Sequence, residues 1–373
     1  MKQTLILILT TMLLVACGNG RQTASTAAGD TVVFRYARLI HVEQRPDCRV
    51  VSIDNPWKPG KTLHRYVLVA AGDALPEPLP EGTLVRTPLS RSIIFTSVHA
   101  ALVGELQATE GIAGVADLKY MKLPFVQQGV SEGRLVDCGD GMSPVVEKII
   151  DAEADAILLS PFENSGGYGR LEEVDIPLIE CAEYMEASPL ARAEWMRFYG
   201  MLYGREQQAD SLFNVVDSCY HALCEQAKAT SERLSVLVDK QTGSVWYVPG
   251  GRSTIGCMLQ DACCRYPWAD DNHSGSLSMP FETVFEQAGE ADVWLLRYDA
   301  PQPLTLAQLL AEQPGYKELR PVRDGNVYAC NVATSMFYEE TPFRPDLLLR
   351  DFIAILHPGT PMQALRYYHK ISK

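Results

Sequence analysis

Positive charge is scarce in this chain. It sets 33 Lys and Arg against 46 Asp and Glu, a formal net charge of −13. That balance argues against nucleic acid or an anionic membrane surface as the main partner. It says little about a small ligand, because local charge in a cleft can oppose the overall sign. Signatures of catalysis are missing as well: there is no P-loop, GxSxG elbow, HExxH or dinucleotide GxGxxG. GRSTIG holds Ser253 without the elbow spacing, and the Asp270-Asp271 pair reads as a solvated turn. No CxxC or zinc-like Cys/His spacing occurs and the seven histidines are dispersed, which disfavours a bare zinc or manganese site. After the first residues no apolar run is long enough to span a bilayer.

The N-terminus is distinctive. Lys2 precedes the run LILILTTMLLVA, which stops at Cys17. This is a charged region followed by an apolar region too short to span a membrane comfortably. Leu14-Val15-Ala16-Cys17 resembles a lipobox, in which the Cys17 thiol is diacylated and becomes the first mature residue; an ordinary cleaved signal is the alternative. Gly18 to Asp30 is small and polar, the composition of a tether. Ten cysteines are many for an exported chain, and with Cys17 lipidated an odd nine remain. They read as mostly small buried residues with one or two disulfides of unread connectivity. At 47% hydrophobic and 21% charged, the remaining chain suffices for two lobes.

One phrase occurs in each half: EADAILL from Glu153 and EADVWLL from Glu290. Each follows a helix-like stretch with Ser, Pro and Glu, namely SPVVEKII from Ser143 and SMPFETVF from Ser278. The expectation is an αβ unit used twice, with Pro in the first helical turn and the apolar run a strand buried on both faces. Two such lobes facing one another make a cleft. Segments from Val32 to Val69 alternate and read as an extra β layer. SIIFTS, IPLIEC, SVLVDK and NVYACN read as strands among helices, the pattern of parallel α/β lobes. From Ser188 the chain turns helical, with Gly204 marking a break in a strut between the lobes. Glu186, Arg192 and Glu194 are expected to pin that strut to the first lobe. The expected fold is α/β: two Rossmann-like lobes joined by a long backbone helix, with an extra N-terminal β layer. The boundaries are 1–16 lipoprotein signal peptide, 17–31 tether, 32–72 β extension, 73–187 first lobe, 188–232 connecting helical segment and 233–373 second lobe.

Taken in order, SIIFTSVHAALVGELQA, GMSPVVEKIIDAEADAILLSP, YMEASPLARAEW, WYVPGGRST, MPFETVFEQAGEADVWLL and PDLLLRDFIAILHP resemble the substrate-binding lipoproteins of ABC importers for iron chelates and cobalamin. The resemblance implies a monomeric, lipid-anchored receptor with no cofactor of its own. It would capture a metal chelate (ferric siderophore, haem or corrinoid) and dock on an ABC permease dimer. Glu147 and Glu282, at the same point of the duplicated unit, take the family's docking positions at the lobe tips. The cleft would be lined by loops at strand C-termini. From the first lobe these offer Thr96, Ser97, His99, Gly141, Met142, Pro161, Phe162 and Tyr168. The second lobe offers Trp246, Tyr247, Gly250, Gly251, Arg252, Arg297, Tyr298, Phe337 and Tyr338. Aromatics can pack on a flat macrocycle and Arg can pair with carboxylate or catecholate oxygens; Trp246 and Arg252 lead this set. His99 could ligate a haem iron or cobalt, or simply cap and pack. Two other readings stand beside the receptor: a chelatase-like enzyme acting on a tetrapyrrole, and an anchored module whose β layer binds another protein.

Overall fold

A computed structural model describes residues 32–163, 167–359 and 364–371. The leader, the tether and the lipidation candidate Cys17 lie outside the described residues. Among the described residues no helix is long and apolar enough to cross a membrane.

The N-terminal layer is a four-stranded sheet, Ile40–Gln44, Arg49–Asp54, Thr62–Ala70 and Thr83–Thr87, in that order. Its first strand alternates as expected, with Ile40 and Val42 buried and His41 and Glu43 exposed. The first three strands run antiparallel; the fourth pairs parallel with the third. The layer therefore continues beyond the expected boundary at residue 72. A parallel neighbour needs a crossover, and the segment between Ala70 and Thr83, with Pro76, Pro78 and Pro80, supplies it.

The first lobe holds five parallel strands in the order Leu178–Glu180, Ala156–Leu159, Ser92–Ile94, Ile112–Val115, Val136–Asp137. The second holds Val236–Val238, Val293–Tyr298 and Val327–Asn331 in parallel, closed by antiparallel Tyr368–Lys370. A small antiparallel sheet, Gln241–Thr242, Val245–Pro249 and Ser276–Met279, covers part of it. The strut is three helices, Pro189–Glu194, Met196–Tyr203 and Glu206–Lys228. Gly204, at φ 62°, ends the second, a left-handed position where glycine carries no Cβ penalty. The 23 residues of the third helix span about 35 Å at 1.5 Å per residue. The architecture is the expected one: two α/β lobes, a helical connection and an N-terminal β layer.

The duplicated phrase has a structural cause. Asp155 Oδ2 accepts from the Ser90 N–H at 2.6 Å, its hydroxyl at 3.0 Å and the Arg91 N–H at 3.0 Å. Asp292 Oδ2 accepts from the Ser235 N–H and hydroxyl, both at 2.7 Å. In each lobe this aspartate latches the start of its strand to the start of the parallel neighbour. The prolines behave otherwise than expected. Pro144 and Pro280 precede helices Val146–Asp151 and Phe281–Ala288 rather than entering them; both stand in extended backbone that fits their fixed φ.

Burial alone would raise the Asp292 pKa, but Ser235 and Arg320 outweigh it and hold the group below the ordinary carboxylate range. Its stabilising effect is thus present at neutral pH and lost as pH falls through that lowered value. Asp292→Ala is expected to lose about 2–3 kcal/mol at pH 7 and less near pH 3. Urea denaturation at the two pH values checks this; equal losses would remove the carboxylate from the account.

The one or two expected disulfides do not form among the described residues: Cys48, Cys138, Cys181, Cys219, Cys224, Cys257, Cys263, Cys264 and Cys330 are free thiols. Five of them (Cys48, Cys138, Cys181, Cys224 and Cys330) are buried and fill apolar space, as small hydrophobes do.

Candidate functional site

Parallel strands that end side by side leave a crevice at their C-termini, and the first lobe builds one. Phe95 and Thr96 follow Ser92–Ile94, Asp117 follows Ile112–Val115, and Ser160 and Phe162 follow Ala156–Leu159. With the hairpin Gly139–Asp140/Ser143–Pro144 and residues 167–171 they enclose a cavity of about 560 Å³, a usual size for a small-molecule site.

Each wall is fixed from behind. Thr96 caps helix Ser97–Glu105 by accepting from the His99 N–H. Met142 sits at the hairpin turn, its N–H donating to Asp140 Oδ1 at 2.9 Å, with its side chain 77% exposed. Phe162, also in the lining, is 43% exposed. Tyr168 donates its hydroxyl to Glu180 Oε1 at 2.7 Å. Glu180 Oε2 lies 2.9 Å from His64 Nδ1, and His64 Nε2 lies 2.8 Å from Thr83 Oγ1. The His64 ring stacks on Tyr66 at 4.5 Å. A continuous hydrogen-bonded chain thus runs from the cavity wall into the β layer, which braces the cavity from outside. Burial, reinforced by Glu180, pushes the Tyr168 pKa up and keeps it a neutral donor. Arg170 at the rim is occupied by Glu147, Nη2 to Oε1 at 2.8 Å.

The other candidates are placed differently. His99 is fully buried, its Nε2 3.3 Å from Glu183 Oε1 and its ring beside Tyr199. It packs within the fold and offers no ligand position. Ser97 is half-buried and does not line the cavity. Trp246, the leading candidate, is fully buried: its Nε1 donates to Val238 O, and its ring lies among Phe281, Trp294 and Tyr316. A strand alternates faces, so its neighbour Tyr247 points to solvent instead. Tyr298 and Phe337 are buried. Arg297 spends its guanidinium on Asp239 through two bonds, 2.8 and 2.6 Å; burial opposes that charge, but the pairing prevails and raises its pKa. Gly250 and Gly251 are close-approach glycines, since a Cβ at either would strike backbone oxygens of the Ala269–Gly275 loop. Pro161 is buried, its carbonyl held by the Tyr184 hydroxyl. Arg252, Tyr247 and Tyr338 are exposed but do not line the first-lobe cavity.

The sequence profile of the periplasmic binding protein family matches residues 96–333, well over half of the chain. The chain belongs to the periplasmic binding protein family. An uncharacterized lipoprotein of Methanocaldococcus jannaschii is 24% identical over 354 residues, covering 88% of this chain and 82% of that protein. Among solved structures, a periplasmic heme binding protein from Pseudomonas aeruginosa superposes with a TM-score of 0.59 at 15% identity, over 76% of this chain and 98% of that one. The triscatecholate siderophore binding protein FeuA from Bacillus subtilis, complexed with ferri-bacillibactin, gives 0.55 at 17% identity, over 74% and 95%. These structural likenesses are of fold. Membership makes the protein a substrate-binding protein and not an enzyme, which removes the chelatase-like reading.

In this periplasmic binding protein the structure gathers Thr96, Gly141, Met142, Phe162 and Tyr168 around one cavity. It adds Phe95, Asp117, Ser160 and Arg170, which the sequence reading missed. Asp117 had a local signal, a polar residue closing the apolar run IAGVA; Arg170 had none. No group of three or more His, Cys, Asp or Glu among the described residues could hold a metal ion. Glu147 and Glu282 each stand second in their helix and exposed. Glu147 is held ionised by Arg170, whereas Glu282 has no ion-pair partner among the described residues.

Proposed function

We propose that the protein is a lipid-anchored receptor of the cell envelope, acting as a monomer, that captures a metal chelate and delivers it to an ABC permease dimer. The ligand classes are ferric siderophore, haem and cobalamin. The observation that carries the reading is the first-lobe cavity, with Met142 and Phe162 held out into solvent at its lining. Large apolar side chains on a preformed site favour a ligand with apolar faces, which would remove them from water. Thr96, Ser160 and Tyr168 supply polar contacts beside them. The dispersed histidines fit a whole chelate better than a bare ion. The lipobox-like Leu14–Cys17 and the lipoprotein relative support the anchor; the heme- and siderophore-binding neighbours support the ligand class. Glu147 and Glu282 supply rim charge that would steer and orient docking on the permease.

The test is equilibrium titration of the full chain in mild detergent against haemin, cyanocobalamin and several ferric siderophores, read by dialysis and thermal shift. One class is expected to bind at micromolar affinity or tighter. Met142→Ser and Phe162→Ser are each expected to weaken it by about tenfold, some 1.4 kcal/mol. Failure of every chelate to bind the folded protein would sink the proposal.

A further inference from the structure

Three aspartates stand where the first-lobe strands end, and two of them have structural tasks. Asp137 Oδ1 accepts from the Gly139 N–H at 3.0 Å, and Asp140 Oδ1 from the Met142 N–H at 2.9 Å. Asp117 is different. It stands at the N-cap of the turn Leu118–Tyr120, where an aspartate side chain ordinarily accepts a backbone N–H, yet its side chain makes no capping bond. Its backbone fixes the turn instead: the N–H donates to Gly139 O at 2.7 Å, and the carbonyl accepts from the Tyr120 N–H at 2.8 Å. Among the described residues its carboxylate has no hydrogen-bond or ion-pair partner. Lys119, two residues on, is paired with Asp140 at 3.5 Å and acts on Asp117 only through space. Two features nevertheless keep that carboxylate in the cavity lining. Asp117 has φ 53°, the left-handed region that a residue with a Cβ enters at a cost. Beside it is Gly141, also in the lining, where an added Cβ would stand 2.6 Å from Asp117 Oδ2. Half-buried, unpaired and given room by a glycine, the carboxylate is placed to meet a ligand.

We infer that Asp117 determines specificity: it selects chelates whose periphery presents N–H donors, as ammonium or amide groups, and no carboxylate at that point. This rests on the chelate-receptor reading and narrows it. A chelate that fills the cavity and covers Met142 and Phe162 also takes water from Asp117. A carboxylate stripped of water is strongly unfavourable without a donor in its place. An ammonium or amide N–H at that edge supplies one, in a charge-assisted bond. A carboxylate of the ligand would add like-charge repulsion instead. Arg170, the cation of the lining, does not offset this, because Glu147 occupies it. A corrinoid ringed with primary amides has the required donors, and so has a linear trihydroxamate ending in a free amine. Haemin, with carboxylates along its polar edge, and a strongly anionic triscatecholate complex do not fit.

The experiment titrates the full chain in mild detergent, by equilibrium dialysis, with chelates matched in all but one group. One series is a linear ferric trihydroxamate as its free amine, its N-acetyl form and its N-succinyl form, which ends in a carboxylate. The other is cyanocobalamin and its monocarboxylates, each with one peripheral amide hydrolysed. Haemin and a ferric triscatecholate complete the set. In the series that binds, the succinyl form, or one or more of the monocarboxylates, is expected to bind about tenfold more weakly than its parent. Asp117→Asn keeps the shape and tolerates the left-handed backbone; it is expected to shrink that gap below about threefold. Gly141→Ala, which pushes the carboxylate aside, is expected to shrink it as well. A merely structural Asp117 would lower all affinities together and leave their ratios alone. Equal affinities within the series, a gap that persists in Asp117→Asn, or tightest binding by haemin or the triscatecholate would overturn the inference and leave the receptor reading standing. No binding by any chelate would overturn both.

Discussion

Glu194→Ala is expected to destabilise the protein by on the order of 5 kcal/mol, a large part of the 5–15 kcal/mol that holds an ordinary fold. Glu194 is fully buried in the strut. It accepts from the backbone N–H groups of Arg35, Tyr36 and Ala37 at 2.8, 2.7 and 3.0 Å. Its neighbour Glu186 takes the next two, Arg38 and Leu39, both at 3.0 Å, and the Trp195 indole N–H at 2.9 Å. Five successive backbone donors just before the first strand are thus satisfied by two carboxylates of the connecting region. Hydrogen bonds to a charged group contribute about 1.5–3 kcal/mol each, and an orphaned buried donor costs its full desolvation. Alanine removes three acceptor contacts at once, while glutamine keeps an acceptor oxygen and should fall between. Guanidinium denaturation of the three proteins measures this; a loss below about 1 kcal/mol for alanine would mean the segment finds other partners. Arg197, within 3.5 Å of Glu194, retains Asp210 at 3.0 Å, so the variant does not strand that cation. Glu186 and Glu194 therefore tie the strut to the backbone ahead of the β layer, not to the first lobe through helix-spaced ion pairs as the sequence reading expected.

That difference shows where sequence is legible. Local signals carried well: the apolar runs at Ile93, Ile157 and Leu295 became buried parallel strands, and Gly204 became the helix break. The repeat was informative because Asp155 and Asp292 perform one bonding task in two places, so the motif survives in both. Contacts across long separations left no trace in pattern. Nothing near Glu194 announces that residues 35–37 will settle on it, and nothing near Arg170 announces a cavity rim. Facing was the other blind point. Thr96 and His99 are three residues apart at a helix start, yet one lines the cavity and the other is sealed against Glu183 and Tyr199. Period-two alternation says that Trp246 and Tyr247 face opposite ways; it does not say which of them faces in. The larger apolar ring took the core, as burial energetics favours.

Trp246→Ala is accordingly expected to cost about 3–5 kcal/mol, the range for emptying a large buried aromatic site, and to leave chelate affinity per folded molecule unchanged. The Trp246 ring is the meeting point of two layers of the second lobe. It belongs to the small sheet through Val245–Pro249 but lies 5.9 Å from Trp294 of the parallel sheet and 5.7 Å from Tyr316. Its Nε1 donates to Val238 O at 3.0 Å, and the Trp294 Nε1 donates to the adjacent Asp239 O at 2.6 Å. Both indoles therefore satisfy carbonyls where strand Val236–Val238 ends. Alanine opens a cavity and frees one carbonyl together. Trp246→Phe keeps most of the volume and loses only the hydrogen bond, so about 1–2 kcal/mol is expected. Tyr247→Ala, on the outer face of the same strand, should stay within about 0.5 kcal/mol. Denaturation midpoints with chelate titrations on the same samples separate the alternatives. A Trp246→Ala protein of undiminished stability that no longer bound its chelate would return this residue to the cleft, and would mean that the small sheet turns its other face to the core.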